Sequence, residues 1–119
     1  MFKGSCLCGA IHYEIRGEVA RTSHCHCTTC QKQHGAAFAS YANVAASDFH
    51  LTQGRDALAS YRSSPEVVRT FCKVCGSNIG WQIDTHQHRI AIALGTFDTP
   101  YTQPVTKHLH SETKAPWLP

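Results

Sequence analysis

Leu58-Ala59-Ser60-Tyr61-Arg62-Ser63-Ser64-Pro65-Glu66-Val67-Val68-Arg69-Thr70-Phe71-Cys72-Lys73-Val74-Cys75-Gly76 carries two signals in succession. Leu58 to Arg62 and Val67 to Phe71 read as strands. Ser63-Ser64-Pro65-Glu66 between them reads as a hairpin loop, because serine and proline favour turns and proline breaks a strand ladder. A C-x-x-C knuckle follows, closed by Gly76, whose access to positive φ lets backbone N–H groups turn toward sulfur. Outward from this segment the short strands recur. Ile11-His12-Tyr13-Glu14-Ile15 alternates. Ala36 to Val44 is rich in small and aromatic residues, and Phe49-His50-Leu51 precedes a Gln53-Gly54 turn. Ile79 to Ile83 and Arg89 to Leu94 flank Asp84-Thr85-His86-Gln87 as a second hairpin. One short helix is predicted, Thr28 to His34, with Gly35 as its stop. The tail from Gly95 contains Pro100, Pro104, Pro116 and Pro119 and reads as irregular. About eight short strands predict a mainly β fold.

A length of 119 residues predicts a single domain, 1–119, and a core that gives only modest stability unaided. A hydrophobic fraction of 42% and a charged fraction of 16% suit a folded chain. No apolar run approaches the ~20 residues of a membrane span. Met1-Phe2-Lys3-Gly4-Ser5-Cys6 has no apolar signal region, so the expected location is cytoplasmic, where thiols stay reduced. The formal charge of +3 is spread over scattered Lys and Arg with no basic stripe, which argues against a nucleic-acid partner.

The seven cysteines fall into three clusters: Cys6/Cys8, Cys25/Cys27/Cys30 and Cys72/Cys75. Close pairs suit zinc, which takes sulfur ligands tetrahedrally at about 2.3 Å. Disulfides are the alternative; the odd count and the poor geometry of near-neighbour bridges speak against them. Seven ligands partition most simply as four plus three. Cys6 and Cys8 join Cys72 and Cys75 in a closed site that staples the N-terminal segment to a distant hairpin. Cys25, Cys27 and Cys30 are then one ligand short, as a catalytic zinc would be. A histidine could instead complete that second site and make both metals structural. In an extended chain, however, His24 and His26 point away from Cys25 and Cys27.

Gly4-Ser5-Cys6-Leu7-Cys8-Gly9-Ala10, Cys25-His26-Cys27-Thr28-Thr29-Cys30-Gln31-Lys32-Gln33-His34-Gly35-Ala36-Ala37-Phe38 and Phe71-Cys72-Lys73-Val74-Cys75-Gly76-Ser77 together resemble the family of glutathione-dependent formaldehyde-activating enzymes. The same domain occurs in centromere protein V. The ending His110-Ser111-Glu112-Thr113-Lys114-Ala115-Pro116-Trp117 resembles that family's C-terminal motif. The resemblance implies a β-tent fold of antiparallel sheets. It implies a structural zinc at Cys6, Cys8, Cys72 and Cys75, and a catalytic zinc at Cys25, Cys27 and Cys30. The implied activity is carbon–sulfur bond formation and cleavage, with glutathione as the thiol and S-hydroxymethylglutathione as the named product. An arginine often follows the third cysteine of the middle motif; here Gln31 stands in its place and Lys32 comes next.

A zinc held by three thiolates is a weak Lewis acid, better suited to binding a substrate thiol as thiolate than to activating water. The hemithioacetal oxygen then needs a proton. His24, His26 and His34 lie nearest in sequence, with His26 as the candidate general acid. A doubly carboxylated thiol such as glutathione also needs a cation, for which Lys32 is the nearest. The competing expectation is a non-catalytic zinc-binding module that carries thiols or binds a protein partner.

Overall fold

The computed structural model describes all 119 residues. The elements run β1 (Phe2–Ser5), β2 (His12–Ile15), β3 (Arg21–Cys25), α1 (Thr28–His34), β4 (Ala39–Ala45), β5 (Phe49–Gln53), β6 (Leu58–Ser64), β7 (Val67–Cys72), β8 (Asn78–Ile83), β9 (Arg89–Ala93) and β10 (His108–Leu109). They form a three-stranded sheet, β1-β2-β5, and a seven-stranded sheet, β10-β3-β4-β9-β8-β7-β6. All neighbours are antiparallel except β10 and β3, which run parallel. The mainly β expectation holds. No helix is long and apolar enough to cross a membrane.

The large sheet has two different faces because successive side chains alternate. One face meets the small sheet. There Tyr13, Ile15, Val44 and Ile92 are almost wholly buried together, and Cys6, Ile11, Ala57, Cys72 and Ile79 form a neighbouring cluster. The other face carries Cys25, Ala39, Tyr41, Ala91 and Ala93, with Cys30 packed upon them from α1. Alanines in the middle of this face leave a hollow that larger residues would fill.

The hairpin of β6 and β7 is tighter than expected. Ser63 and Ser64 continue the strand, leaving Pro65-Glu66 as the turn. The register skips between Arg62 and Ser64, a bulge at Ser63. Its hydroxyl accepts a hydrogen bond from Arg69 Nε at 2.9 Å, so the extra residue re-aims a side chain. β4 begins at Ala39, because Gly35 ends α1 in the left-handed region at φ 59° and the next residues carry the chain to the sheet.

Three strands lie outside the expected set. β1 is short and glycine-containing. β3 lacks apolar alternation because neither face of it enters the main core. β10 has two residues in a proline-rich tail, yet it covers the open edge of β3. Lys107 O accepts from His24 N–H and Leu109 O from His26 N–H, both at 2.9 Å.

Candidate metal centres and the cavity beside them

Cys6 and Cys8 lie in the turn after β1, where Gly9 N–H returns to Cys6 O at 3.1 Å. Cys72 ends β7, and the turn to Cys75 closes through Gly76, at φ 82°, whose N–H donates to Cys72 O at 2.7 Å. Leu7 N–H donates to Ser77 Oγ at 2.9 Å and ties the two turns together. The four sulfurs lie within 4.8 Å of one another, with Cys6–Cys8 at 3.6 Å and Cys8–Cys72 at 3.8 Å. Sulfurs about 2.3 Å from a tetrahedral centre stand roughly 3.8 Å apart, so the spacing fits one ion. The surroundings favour thiolate at Cys6 and Cys75. Ile11 N–H donates to Cys6 Sγ at 3.3 Å and the Ser77 hydroxyl to Cys75 Sγ at 3.3 Å. The Ser77 hydrogen bonds lower the Cys75 thiol to about 5.

The second group spans the junction of β3 and α1. Cys25 ends the strand. Cys27 is the helix N-cap, its sulfur accepting from Cys30 N–H at 3.3 Å in place of the usual side-chain oxygen. Cys25 and Cys27 sulfurs are 3.5 Å apart, and all three sulfurs lie within 4.8 Å of one another. Burial works against ionising Cys27, but hydrogen bonds from Cys30 and the charge of Arg69 outweigh it and its pKa is lowered. Burial, followed by the neighbouring thiols, raises Cys30.

Neither neighbouring histidine completes this group. His24 and His26 occupy the opposite face and pack on Phe38, with ring centroids 4.5 and 5.1 Å away. His26 Nε2 is 2.8 Å from His108 Nδ1, and His24 Nδ1 is 2.7 Å from Ser40 Oγ. The three sulfurs instead open on a cavity of about 300 Å³ that Tyr41, Arg69 and Trp81 also line.

The profile of the glutathione-dependent formaldehyde-activating enzymes matches residues 1–113. The chain belongs to this family. A Schizosaccharomyces pombe protein named as an uncharacterized lyase is 31% identical over 78 residues, covering 66% of this chain and 55% of its own length. The chain thus spans about half of that curated relative. A crystal structure of a Rhodobacter sphaeroides protein superposes with a TM-score of 0.70 at 22% identity, covering 84% of this chain and 91% of that one, and shares the fold. The family assignment rests on the match over residues 1–113, which extends well beyond the three cysteine clusters.

Within this family member the structure separates the expected site residues. The two cysteine groups assemble as the four-plus-three partition anticipates. His26 is buried beside His108 and faces a different pocket, lined by Phe38, Ser111 and Lys114. Lys32 is exposed in a groove with Thr28, Gln31 and Trp117 and does not reach the cysteine-lined cavity. The reason is helical geometry, since Lys32 lies two residues from Cys30, about 200° round the helix. Gln31 donates to both His26 O and Thr113 O at 2.8 Å, and so fastens the cysteine segment to the tail.

The cavity's buried cation is Arg69, from β7; the more exposed Arg21 also lines it. Arg69 is 7% exposed and takes part in no ion pair. Its Nε donates to Ser63 Oγ at 2.9 Å, and its Nη1 donates to Gln33 Oε1 at 2.8 Å and Tyr41 Oη at 3.2 Å. The guanidinium lies 5.9 Å from the Trp81 ring centre. Tyr41 Oη lies 2.8 Å from His34 Nε2. Burial, then the charge of Arg69, lowers the His34 pKa. In its neutral Nε2–H tautomer His34 donates to the Tyr41 oxygen, as Arg69 Nη1 does, which leaves the Tyr41 hydroxyl proton free for the cavity. Burial, then the charge of Cys30, raises Tyr41 above the usual phenol range. Arg69, Tyr41 and Trp81 were available to sequence reasoning only through strand alternation and register: Arg69 faces Trp81 across β7–β8, and Tyr41 faces Ser23 across β4–β3.

Proposed function

We propose that this chain is a zinc-dependent carbon–sulfur lyase that joins a thiol to a small aldehyde and reverses that addition, with glutathione and formaldehyde as the reference pair. The carrying observation is that three sulfurs without a fourth protein ligand open on a cavity holding a buried, carboxylate-free arginine. Cys6, Cys8, Cys72 and Cys75 would hold one zinc for structure, and Cys25, Cys27 and Cys30 the other. When bound at the open site, zinc supplies the positive charge that keeps a substrate thiol deprotonated at neutral pH.

The remaining work falls to the chain. The cavity orients thiol and carbonyl together and limits water between them. The sulfur lone pair forms the C–S bond, the carbonyl π pair moves to oxygen, and the proton lost from the thiol passes to solvent. Arg69 Nη2, which has no hydrogen-bond partner in the protein, donates to the developing oxyanion. Tyr41 Oη gives the proton, and Arg69 Nη1 stabilises the phenolate left behind. His34 Nε2–H returns a proton to Tyr41 and regains one from solvent in the separate pocket that His34 lines. Cleavage runs through the same atoms in reverse.

The test uses protein loaded with cobalt(II), whose thiolate absorption reports a fourth sulfur. Glutathione should change the spectrum and S-methylglutathione should not, because a neutral thioether is a poor ligand beside three thiolates. Tyr41→Phe should retain that binding response while turnover falls about 100-fold. If both compounds perturb the metal equally, or neither does, the lyase reading fails and a non-catalytic zinc module is the better account.

A further inference from the structure

The cavity beside the three sulfurs does not end at Trp81. A second hollow of about 230 Å³ lies on the same sheet face and shares Arg21, Asn43, Trp81, Ile83 and Ala91 with it. Arg89 and His86 line this outer part. Arg89 Nε donates to Asn43 Oδ1 at 2.7 Å, which sets the direction of the guanidinium; its Nη2 is buried with no hydrogen-bond partner. Asn43 faces Arg21 directly across β3–β4, where opposite Cβ atoms stand about 5 Å apart. Arg21 and Arg89 therefore flank one asparagine.

Nothing in the protein neutralises these groups. No Asp or Glu lines either hollow, and neither Arg21 nor Arg89 takes part in an ion pair. A buried N–H without an acceptor is unfavourable, and a carboxylate is the acceptor that matches a guanidinium fork. Three thiolates and one divalent ion carry a single net negative charge, so three arginines leave the joined cavity positive.

β3 supplies the ruler. Arg21, Ser23 and Cys25 share one face of the strand and all line the inner hollow. Arg21 and Cys25 are four residues apart, about 13 Å along the strand. Even with the arginine side chain folded back, a molecule touching both ends needs several bonds between its sulfur and its carboxylate.

We propose that Arg89 and Arg21 hold a carboxylate of the thiol substrate and select thiols whose acid group lies several bonds from sulfur. This rests on the three-cysteine group being a thiol site. Cationic recognition then sits at the far end of the sheet face from the sulfurs, in residues outside the cysteine motifs.

Calorimetric titration of the metal-replete protein with three probes tests it: 6-mercaptohexanoate, neutral 6-mercaptohexanol and short 3-mercaptopropionate. The long acid should bind about tenfold tighter than the alcohol, since a charge-assisted hydrogen bond is worth that much. The short acid should lack this advantage over a neutral thiol of its own length. Arg89→Gln should remove the advantage and leave the alcohol's affinity within about twofold, well under the loss of one such bond. Arg21→Gln, at an exposed position, should act in the same direction and serves if the first variant folds poorly. Equal wild-type affinity for the long acid and the alcohol overturns the clamp alone. So does an equal weakening of both by the two substitutions. If no thiol binds, the thiol-site reading falls first and the clamp with it.

Discussion

Replacing Cys72 with serine should unfold this protein far more readily than replacing Cys30. Cys72 is fully buried, and with Cys75 it meets Cys6 and Cys8 from the other side of a long loop. Cys8 and Cys72 are 64 residues apart in the chain. Closing a loop of that length removes roughly 4 kcal/mol of unfolded-state entropy in the cross-link model, and a metal clip acts in the same way. For a chain of this size that corresponds to a fall of about 15 °C in Tm if the link is lost outright. Cys30, by contrast, is five residues from Cys25 and three from Cys27, so its group closes only a local turn. Its loss should lower Tm by about 5 °C or less, in keeping with one buried substitution. Thermal unfolding followed by circular dichroism, with metal content measured on the same samples, distinguishes the two. Equal Tm for Cys72→Ser and Cys30→Ser, or a Cys72→Ser protein that keeps its full metal and its wild-type Tm, would refute the division of roles.

Chelation should distinguish the groups without mutation: about one equivalent of metal should leave first, with the circular dichroism spectrum unchanged, because only the three-cysteine group opens on a cavity. Simultaneous loss of both equivalents with unfolding would count against this. Mild oxidation should modify Cys27, whose thiol is lowered and partly accessible, ahead of Cys6 or Cys72, as peptide mass mapping would show. Acidification should destabilise the fold, since burial is the leading cause that holds His24, His26 and His34 below the usual histidine range. The unfolded chain then binds protons more readily, so stability is full above about pH 6.5 and declines as pH falls toward the depressed folded values. His26→Asn should flatten that decline in a Tm-against-pH series, whereas a Tm that rises on acidification would show the sign to be wrong.

The cysteine clusters are legible in the sequence because thiolates sharing one ion come from tight turns, and tight turns keep their residues close in number. Alternation marks β2, and turn residues between short strand-like runs mark the hairpins β6–β7 and β8–β9. The same physics makes the rest obscure. β3 lines a cavity on one side and stacks histidines against Phe38 on the other, so it shows no apolar period. Without β3 as a strand, Arg21 and Ser23 have no visible relation to Cys25, although a period of two would have put them on its face. Arg69, Tyr41 and Trp81 meet because β7, β4 and β8 adopt a particular register, which no local spacing encodes. Lys32 and His26 show the converse error. Nearness in sequence to a ligand is a poor guide where the chain is helical or extended, since one or two steps carry a side chain to the opposite face.

The tail that covers the edge of β3 imposes an order of events on synthesis. The partners of Cys6 and Cys8 have all left the ribosome once Cys75 has emerged. The Cys25–Cys30 segment waits longer for its final contacts. Its backbone is held by Lys107, Leu109 and Thr113, the last accepting from Gln31 and donating its own hydroxyl to His26 O at 2.9 Å. A nascent chain that folds from its N-terminus can therefore assemble its cross-link while the cavity's rim is still unmade. The Cys25–Cys30 cluster reaches its finished geometry only after residues 107–113 have emerged, on a scaffold already in place.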